Sequence, residues 1–405
     1  MTGNAAIRIV HLGLGGFFRA HQAWYTGAAP DADGWRIAAF AGRSAALAER
    51  LTAQDCRYTL VVRGPDGDEM TEQHALAAAH SGTADRAWRA YLARPEIAVL
   101  TLTVTEKAYD RAGDLGIRLI DGLAARREAG AGPIALVSCD NLPENGTVLR
   151  KLVEGAADPE LAGWIRDNVA FVTTMVDRIT PRTTDADVAA VAAHTGWADA
   201  APVVTEPFTE WVLGGEFPAG RPAWEAAGAR FVTDVRPHET RKLLLLNGGH
   251  SLLAYAGSAR GHETVADAVA DPECRRWLDQ WWDEASRYVP LPAGDLVAYR
   301  KALLIRFANP RIRHTLAQIA ADGSQKVAIR VLPVLRGERA AGRMPAGAIR
   351  TLAAWIAHLR GAGAPVDDAG ARPYRERAGS ARDVLALLAP DLAGDDKLIE
   401  ALEAP

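Results

Sequence analysis

Short apolar runs, each ending in glycine or polar residues, alternate with longer amphipathic stretches through the first half of the chain. The runs are residues 7–12 (IRIVHL), 35–41 (WRIAAFA), 97–104 (IAVLTLTV), 134–138 (IALVS) and 169–176 (VAFVTTMV), and the stretches between them include 84–93, 117–129, 147–155 and 159–168. Runs of this kind, apolar on both faces, read as strands covered on both sides, and strands separated by helices must be connected by crossovers. That pattern predicts a parallel α/β sheet. Residues 58–63 and a segment around 70–76, separated by a Gly-Pro-Asp-Gly turn at 64–67, predict a hairpin beside it, and residues 203–208 and 210–213 complete this half.

From about Asp234 the texture changes. Residues 240–256, 272–287, 296–307, 312–321, 347–360 and 381–388 all read as helices. With 405 residues the chain is long enough for two cores, and we read 1–233 as an α/β domain and 234–405 as a mainly helical one.

Bulk properties exclude several classes of function. A net charge of −4 provides no basic field for a nucleic-acid backbone. The cysteines, Cys56, Cys139 and Cys274, form no C-x-x-C pair, which argues against a disulfide framework and a sequence-local zinc site. No stretch approaches the roughly 20 apolar residues of a membrane span. A soluble cytoplasmic protein without a metal is expected.

The first strand runs into Gly13, Gly15 and Gly16 and then FFRAHQAWY, a strand, glycine turn and helix start that suits the pyrophosphate of a dinucleotide. The third glycine of G-x-G-x-x-G would fall at Phe18. His11 reads as a core histidine. Arg19 and His21 read as a solvated helix face, with contact to a cofactor phosphate as the alternative. The second run ends in Gly42, Arg43 and Ser44, with no acidic residue for the adenosine ribose, so both NAD and NADP remain open and Arg43 favours a 2′-phosphate. Sites in such sheets lie at the carboxyl ends of the strands, which brings Thr105, Glu106, Lys107, Asn141, Asp177 and Arg178 into consideration. Asn141 reads equally well as a turn residue bonding its own backbone.

The segment TRKLLLLNGGHSLLAY, residues 240–255, is apolar on one side. As an α-helix at about 100° per residue it would place Lys242 at 0°, Asn247 at about 140° and His250 at about 80°. A buried helix carrying an amine, an amide and an imidazole must satisfy them internally or with a ligand. Gly249 should weaken such a helix by roughly 0.8 to 1 kcal/mol relative to alanine unless a neighbour approaches closely.

Together, HLGLGGFFRAHQAWY, LTVTEKAY, SCDNLPENG, MVDRITPRTT, EPFTEWV, KLLLLNGGHSLLAY, RFANPRIRH and DGSQK resemble the mannitol dehydrogenase family, which includes mannonate and tagaturonate oxidoreductases. The resemblance implies a metal-independent secondary-alcohol dehydrogenase using NAD or NADP, often a monomer, with a Rossmann-type domain, a helical domain and catalysis in the cleft between them. It carries the lysine base onto Lys242, its partners onto Asn247 and His250, a further oxyanion donor onto Asn141, and a substrate-side aspartate onto Asp177. Gly13, Gly15, Gly16, Phe17, Arg43, Thr105, Glu106 and Asn141 fall on the cofactor side. A free lysine titrates near ~10.4, so burial and the nicotinamide charge must lower Lys242 for it to act as a base.

Departures from the neutral-polyol pattern point to a branch. Gln318 stands where such members carry an arginine eight residues before the lysine at Lys326, and TEKAY replaces a TEGGY-like turn. Both features resemble the mannonate (fructuronate) branch, for which Lys326 and Lys107 are the expected carboxylate partners. The expected substrate is therefore a small aldonate such as mannonate, with mannitol or arabinitol as the alternative and a non-catalytic nucleotide sensor as a remote one.

Overall fold

The computed structural model describes residues 7–42, 44–109 and 113–404. Arg43, a predicted cofactor contact, and the side chain of Lys107 lie outside the described residues. Contacts divide the chain into two compact units, residues 1–236 and 237–405.

In the first unit, β1 (Ile7–Leu12), β2 (Arg36–Phe40), β3 (Tyr58–Arg63), β4 (Asp68–Gln73), β5 (Leu76–His80), β6 (Val99–Leu102), β7 (Ile134–Ser138), β8 (Val169–Asp177), β9 (Val203–Thr205), β10 (Glu210–Gly214) and β11 (Arg230–Phe231) form two sheets. The larger has the order β11-β10-β8-β7-β6-β1-β2-β5. All its neighbours are parallel except β10 against β8. β1 is flanked by β2 on one side and β6 on the other, so the chain reverses its direction of travel across the sheet there, which opens a crevice at the strands' carboxyl ends.

Burial follows the sequence pattern. β7 is buried along its whole length, and Ile134 and Leu136 belong to one apolar core while Ala135 and Val137 belong to another. The alternation of a strand thus feeds both faces of the sheet, each covered by its own layer. The smaller sheet, β4-β3-β9, contains the predicted hairpin, closed by the Gly64 amide on the Gly67 carbonyl at 2.9 Å. Leu76, read as the end of that hairpin, instead begins β5 on the large sheet.

The second unit is helical. Its central element is one continuous helix over residues 236–257 that is not α-helical throughout: Lys242–Asn247 and Leu253–Gly257 are π-helical turns separated by the α-helical Gly248–Leu252. Around it are Pro272–Ala285, Ala293–Phe307, Gly323–Arg330, Leu332–Ala340 and Ala346–Leu359. The helix expected over 312–321 is confined to Leu316–Ala320, because Thr315 is its N-cap and shares a reciprocal capping box with Gln318. No helix among the described residues is long and apolar enough to cross a membrane.

Candidate functional site

The glycine turn after β1 is built by close approach. Gly13 has φ +113°, and a Cβ there would lie 1.9 Å from the Thr103 carbonyl oxygen, so no other residue fits. The Gly13 and Leu14 amides both donate to the Phe40 carbonyl at 2.9 Å, fixing the turn across β1 and β2. At Gly15 a Cβ would meet only the Gly13 carbonyl, at 3.5 Å. That is a cradle which a side chain would fill, and it fits a phosphate approaching the backbone.

His11 is the predicted core histidine. The Thr103 hydroxyl donates to the Gly13 carbonyl at 2.9 Å and therefore accepts from His11 Nε2 at 3.0 Å, leaving Nδ1 to accept from Thr101 at 2.8 Å. Burial lowers its pKa to about 3. Phe18, at the missing third glycine, stacks on this imidazole with ring centroids 3.5 Å apart. The aromatic ring occupies the space under the turn, which accounts for the departure from G-x-G-x-x-G.

The solvated face predicted for Arg19 and His21 is incorrect. Both are buried: Arg19 donates to the carbonyls of Gly15 and Ala201, and His21 Nε2 pairs with the Glu210 carbonyl at 3.0 Å. The helix breaks at His21, between Gly16–Ala20 and Gln22–Ala28, so the α-helical face drawn through FFRAHQAWY is not continuous. Phe17 is half-buried and stacks on His21 at 5.0 Å. Arg178 likewise acts as a core clamp, donating to the carbonyls of Ala20 and Glu206.

At the other strand ends, Thr105 and Glu106 are exposed at the start of a short 3-10 turn, Asn141 is exposed just beyond β7, and Asp177 is buried as the last residue of β8. The sequence reading missed Asp140, next to Asn141. The Tyr109 hydroxyl donates to Asp140 Oδ2 at 2.5 Å, and burial, reinforced by Glu106, pushes this carboxyl up to about 7. Tyr109 was visible in TEKAY and Asp140 in CDN, but nothing in their spacing pairs them.

In the second unit the π turn changes the predicted geometry. The Gly248 amide reaches back five residues to the Leu243 carbonyl. At about 80° per residue through Lys242–Asn247, Asn247 moves to about 40° from Lys242 and His250 to about −20°. The three side chains thus share a face roughly 60° wide, where an α-helix would have spread them over about 140°. Lys242 and Asn247 are half-buried and His250 is buried.

His250 stacks on Phe307 at 4.5 Å and meets His314 edge-on at 5.0 Å. Burial holds its pKa well below the usual histidine range, and His314, Arg306 and Arg330 lower it further, so it is neutral. Its Nε2 is buried and has no partner among the described residues. Arg330, which the sequence reading also missed, donates to Ser251 at 3.3 Å and has a buried Nε with no partner among the described residues. Lys326, one turn earlier on the same helix, donates to the Ile319 carbonyl at 3.2 Å, and burial and Arg330 lower its pKa. Gln318 is exposed and its amide is committed to the cap of Leu316–Ala320.

All three cysteines are free and buried. His262, Asp271 and Cys274 gather within 4.8 Å, a grouping their spacing did not suggest. Asp271 there caps Pro272–Ala285 and binds Arg260 at 2.7 Å and His262 at 2.9 Å, so its carboxylate already serves a helix terminus.

Residues 7–226 match the family model described as mannitol dehydrogenase Rossmann domain, and residues 234–391 the one described as mannitol dehydrogenase C-terminal domain. D-mannonate oxidoreductase of Escherichia coli (strain K12) is 39% identical over 365 residues, covering 81% of this chain and 75% of that protein. Mannitol 2-dehydrogenase of Cereibacter sphaeroides is 36% identical over 386 residues, covering 87% and 81%. The solved ternary complex of Pseudomonas fluorescens mannitol 2-dehydrogenase with NAD and D-mannitol superposes with a TM-score of 0.81 and 31% identity, over 100% of this chain and 92% of that one.

Proposed function

The chain belongs to the mannitol dehydrogenase family of oxidoreductases, and from that premise we propose that it oxidises a secondary hydroxyl of a sugar acid with NAD, using Lys242 as the base. Bound NAD supplies the hydride acceptor, and its pyrophosphate fits the cradle at Gly13, Gly15 and Gly16, with Phe17, Thr105 and Glu106 on the same edge. Lys242, when unprotonated, takes the hydroxyl proton onto Nζ. Asn247 donates a hydrogen bond to the developing alkoxide, and the family resemblance assigns Asn141 the same role. His250, neutral with an unpartnered buried Nε2, bonds a neighbouring substrate hydroxyl. Asp177 is assigned to the substrate as well.

The observation that carries the choice of a sugar acid is a pair of cations, Lys326 beside His314 and Arg330 beside His250. Lys326 and Arg330 follow one another by a single helical turn, and neither forms an ion pair with a described residue. Asp322 and Asp368 act on Lys326 only at longer range. Two desolvated cations placed together favour an anionic ligand, and a carboxylate next to the reacting carbinol satisfies them. Mannonate is the favoured substrate, consistent with the relative named D-mannonate oxidoreductase. Mannitol is the second reading, favoured by the relatives named mannitol 2-dehydrogenase.

The test is a panel of mannonate, altronate, mannitol and arabinitol with NAD and with NADP. Aldonates are expected to exceed neutral polyols in kcat/KM, and Arg330→Leu should abolish that preference; equal rates on mannitol and mannonate in the wild type would refute it. Lys242→Ala should lower kcat by about 10²- to 10⁴-fold without changing NAD affinity. Near-normal turnover would overturn the assignment of the base.

A further inference from the structure

A π-helical turn needs an external reason to persist. Inserting one residue per turn withdraws backbone amides from the carbonyls they would bond in an α-helix, and buried carbonyls without donors are costly. In an α-helix the Gly248 amide would bond the Leu244 carbonyl; here it goes to Leu243, with a second approach to Leu245. The Leu244 carbonyl instead receives the indole N–H of Trp281 at 2.9 Å, and the Leu245 carbonyl receives that of Trp282 at 2.9 Å. Both indoles are fully buried.

Two glycines make this possible. A Cβ at Gly248 would lie 2.4 Å from the Trp281 ring, and one at Gly249 would lie 2.9 Å from Leu278 and 3.3 Å from Trp282 Nε1. The helix Pro272–Ala285 thus presses two neighbouring indoles through a glycine gap onto the turn that separates Lys242 from Asn247.

We infer that Trp281 and Trp282 are positioning residues, which hold the Lys242–Asn247 turn in its π form and thereby keep Lys242, Asn247 and His250 on one face. Relaxation of that turn to an α-helix would rotate Asn247 away from Lys242 by about 100°, undoing the alignment. The inference rests on the proposed role of Lys242.

The experiment compares Trp281→Phe, Trp282→Phe and the double variant with the wild type and with Trp355→Phe. The phenylalanines retain most of the apolar volume and remove the N–H donor together with part of the ring system. Trp355 is an equally buried indole in the same unit whose N–H has no partner among the described residues, so it controls for lost volume. The double variant is expected to keep the NAD affinity of the wild type, to lose kcat by up to about a hundredfold per folded molecule, and to show a displaced pH midpoint of kcat. Amide exchange in residues 243–249 should also accelerate. Trp355→Phe should leave kcat and its pH midpoint unchanged. The inference is overturned if the double variant retains kcat within twofold, or if its loss matches the unfolded fraction while the pH midpoint stays fixed. A dead Lys242→Ala variant alongside an unaffected double variant would reject the positioning role alone, whereas an active Lys242→Ala would reject the base.

Discussion

Replacing Asp140 by asparagine should remove a pH dependence built into the first unit. The carboxyl is buried at 6% exposure, accepts a hydrogen bond from Tyr109 at 2.5 Å, and has its pKa raised from 3.8 to about 7 by burial and the nearby Glu106. A raised carboxyl pKa means that between those values the folded chain holds a proton the unfolded chain has released. The stability of the wild type therefore falls as pH rises from 3.8 to about 7 and levels off above that, a total of roughly 4 kcal/mol. The asparagine side chain would keep the shape and an acceptor for Tyr109 without the titration. Urea unfolding at pH 4.5, 6 and 7.5, followed by the fully buried tryptophans of this unit, Trp88, Trp211 and Trp224, should show the variant gaining on the wild type by about 3 kcal/mol across that range. A stability difference that is constant with pH, or that shrinks as pH rises, would refute the reasoning.

Two further outcomes test the glycine turn and its supporting histidine. Gly13→Ala combines positive φ with a Cβ 1.9 Å from a backbone oxygen, so it should destabilise the first unit by about 2 to 5 kcal/mol and weaken NAD binding, read by thermal unfolding and cofactor titration. His11 titrates at about 3 when folded and near 6.5 when unfolded, so its contribution is intact above 6.5 and is lost as pH falls below it; at pH 5 the loss is about 2 kcal/mol. His11→Gln should flatten that part of the stability profile between pH 7 and 5, and an unchanged slope would count against the buried neutral imidazole.

Much of this architecture was legible because strand and helix patterns are local. The runs IRIVHL and IALVS became β1 and β7 with the expected bounds, since an apolar stretch that ends in a turn signal has few alternatives once both faces must be covered. Gly13 was legible for a related reason: only a residue without a Cβ tolerates the turn, so the requirement is written in the residue itself. The surface reading of Arg19 and His21 failed because a charged side chain on a short helix can satisfy itself with distant carbonyls, those of Ala201 and Glu210, which no local pattern reveals.

The sequence by itself determined the α/β and helical halves and the family, and it named Lys242, Asn247 and His250 as the side chains proposed for the reaction. Tertiary structure decided how those side chains are presented. Lys242, Asn247 and His250 are fixed in order along the chain, but their common face depends on a π turn, and that turn depends on two indole donors 37 residues beyond the carbonyls they bond. Asp140 with Tyr109, and Lys326 with Arg330 beside His250, acquire their altered proton affinities from burial and from each other. Hydrogen-bond partners and desolvation are properties of a packed interior, and they exist only once residues far apart in sequence have come together.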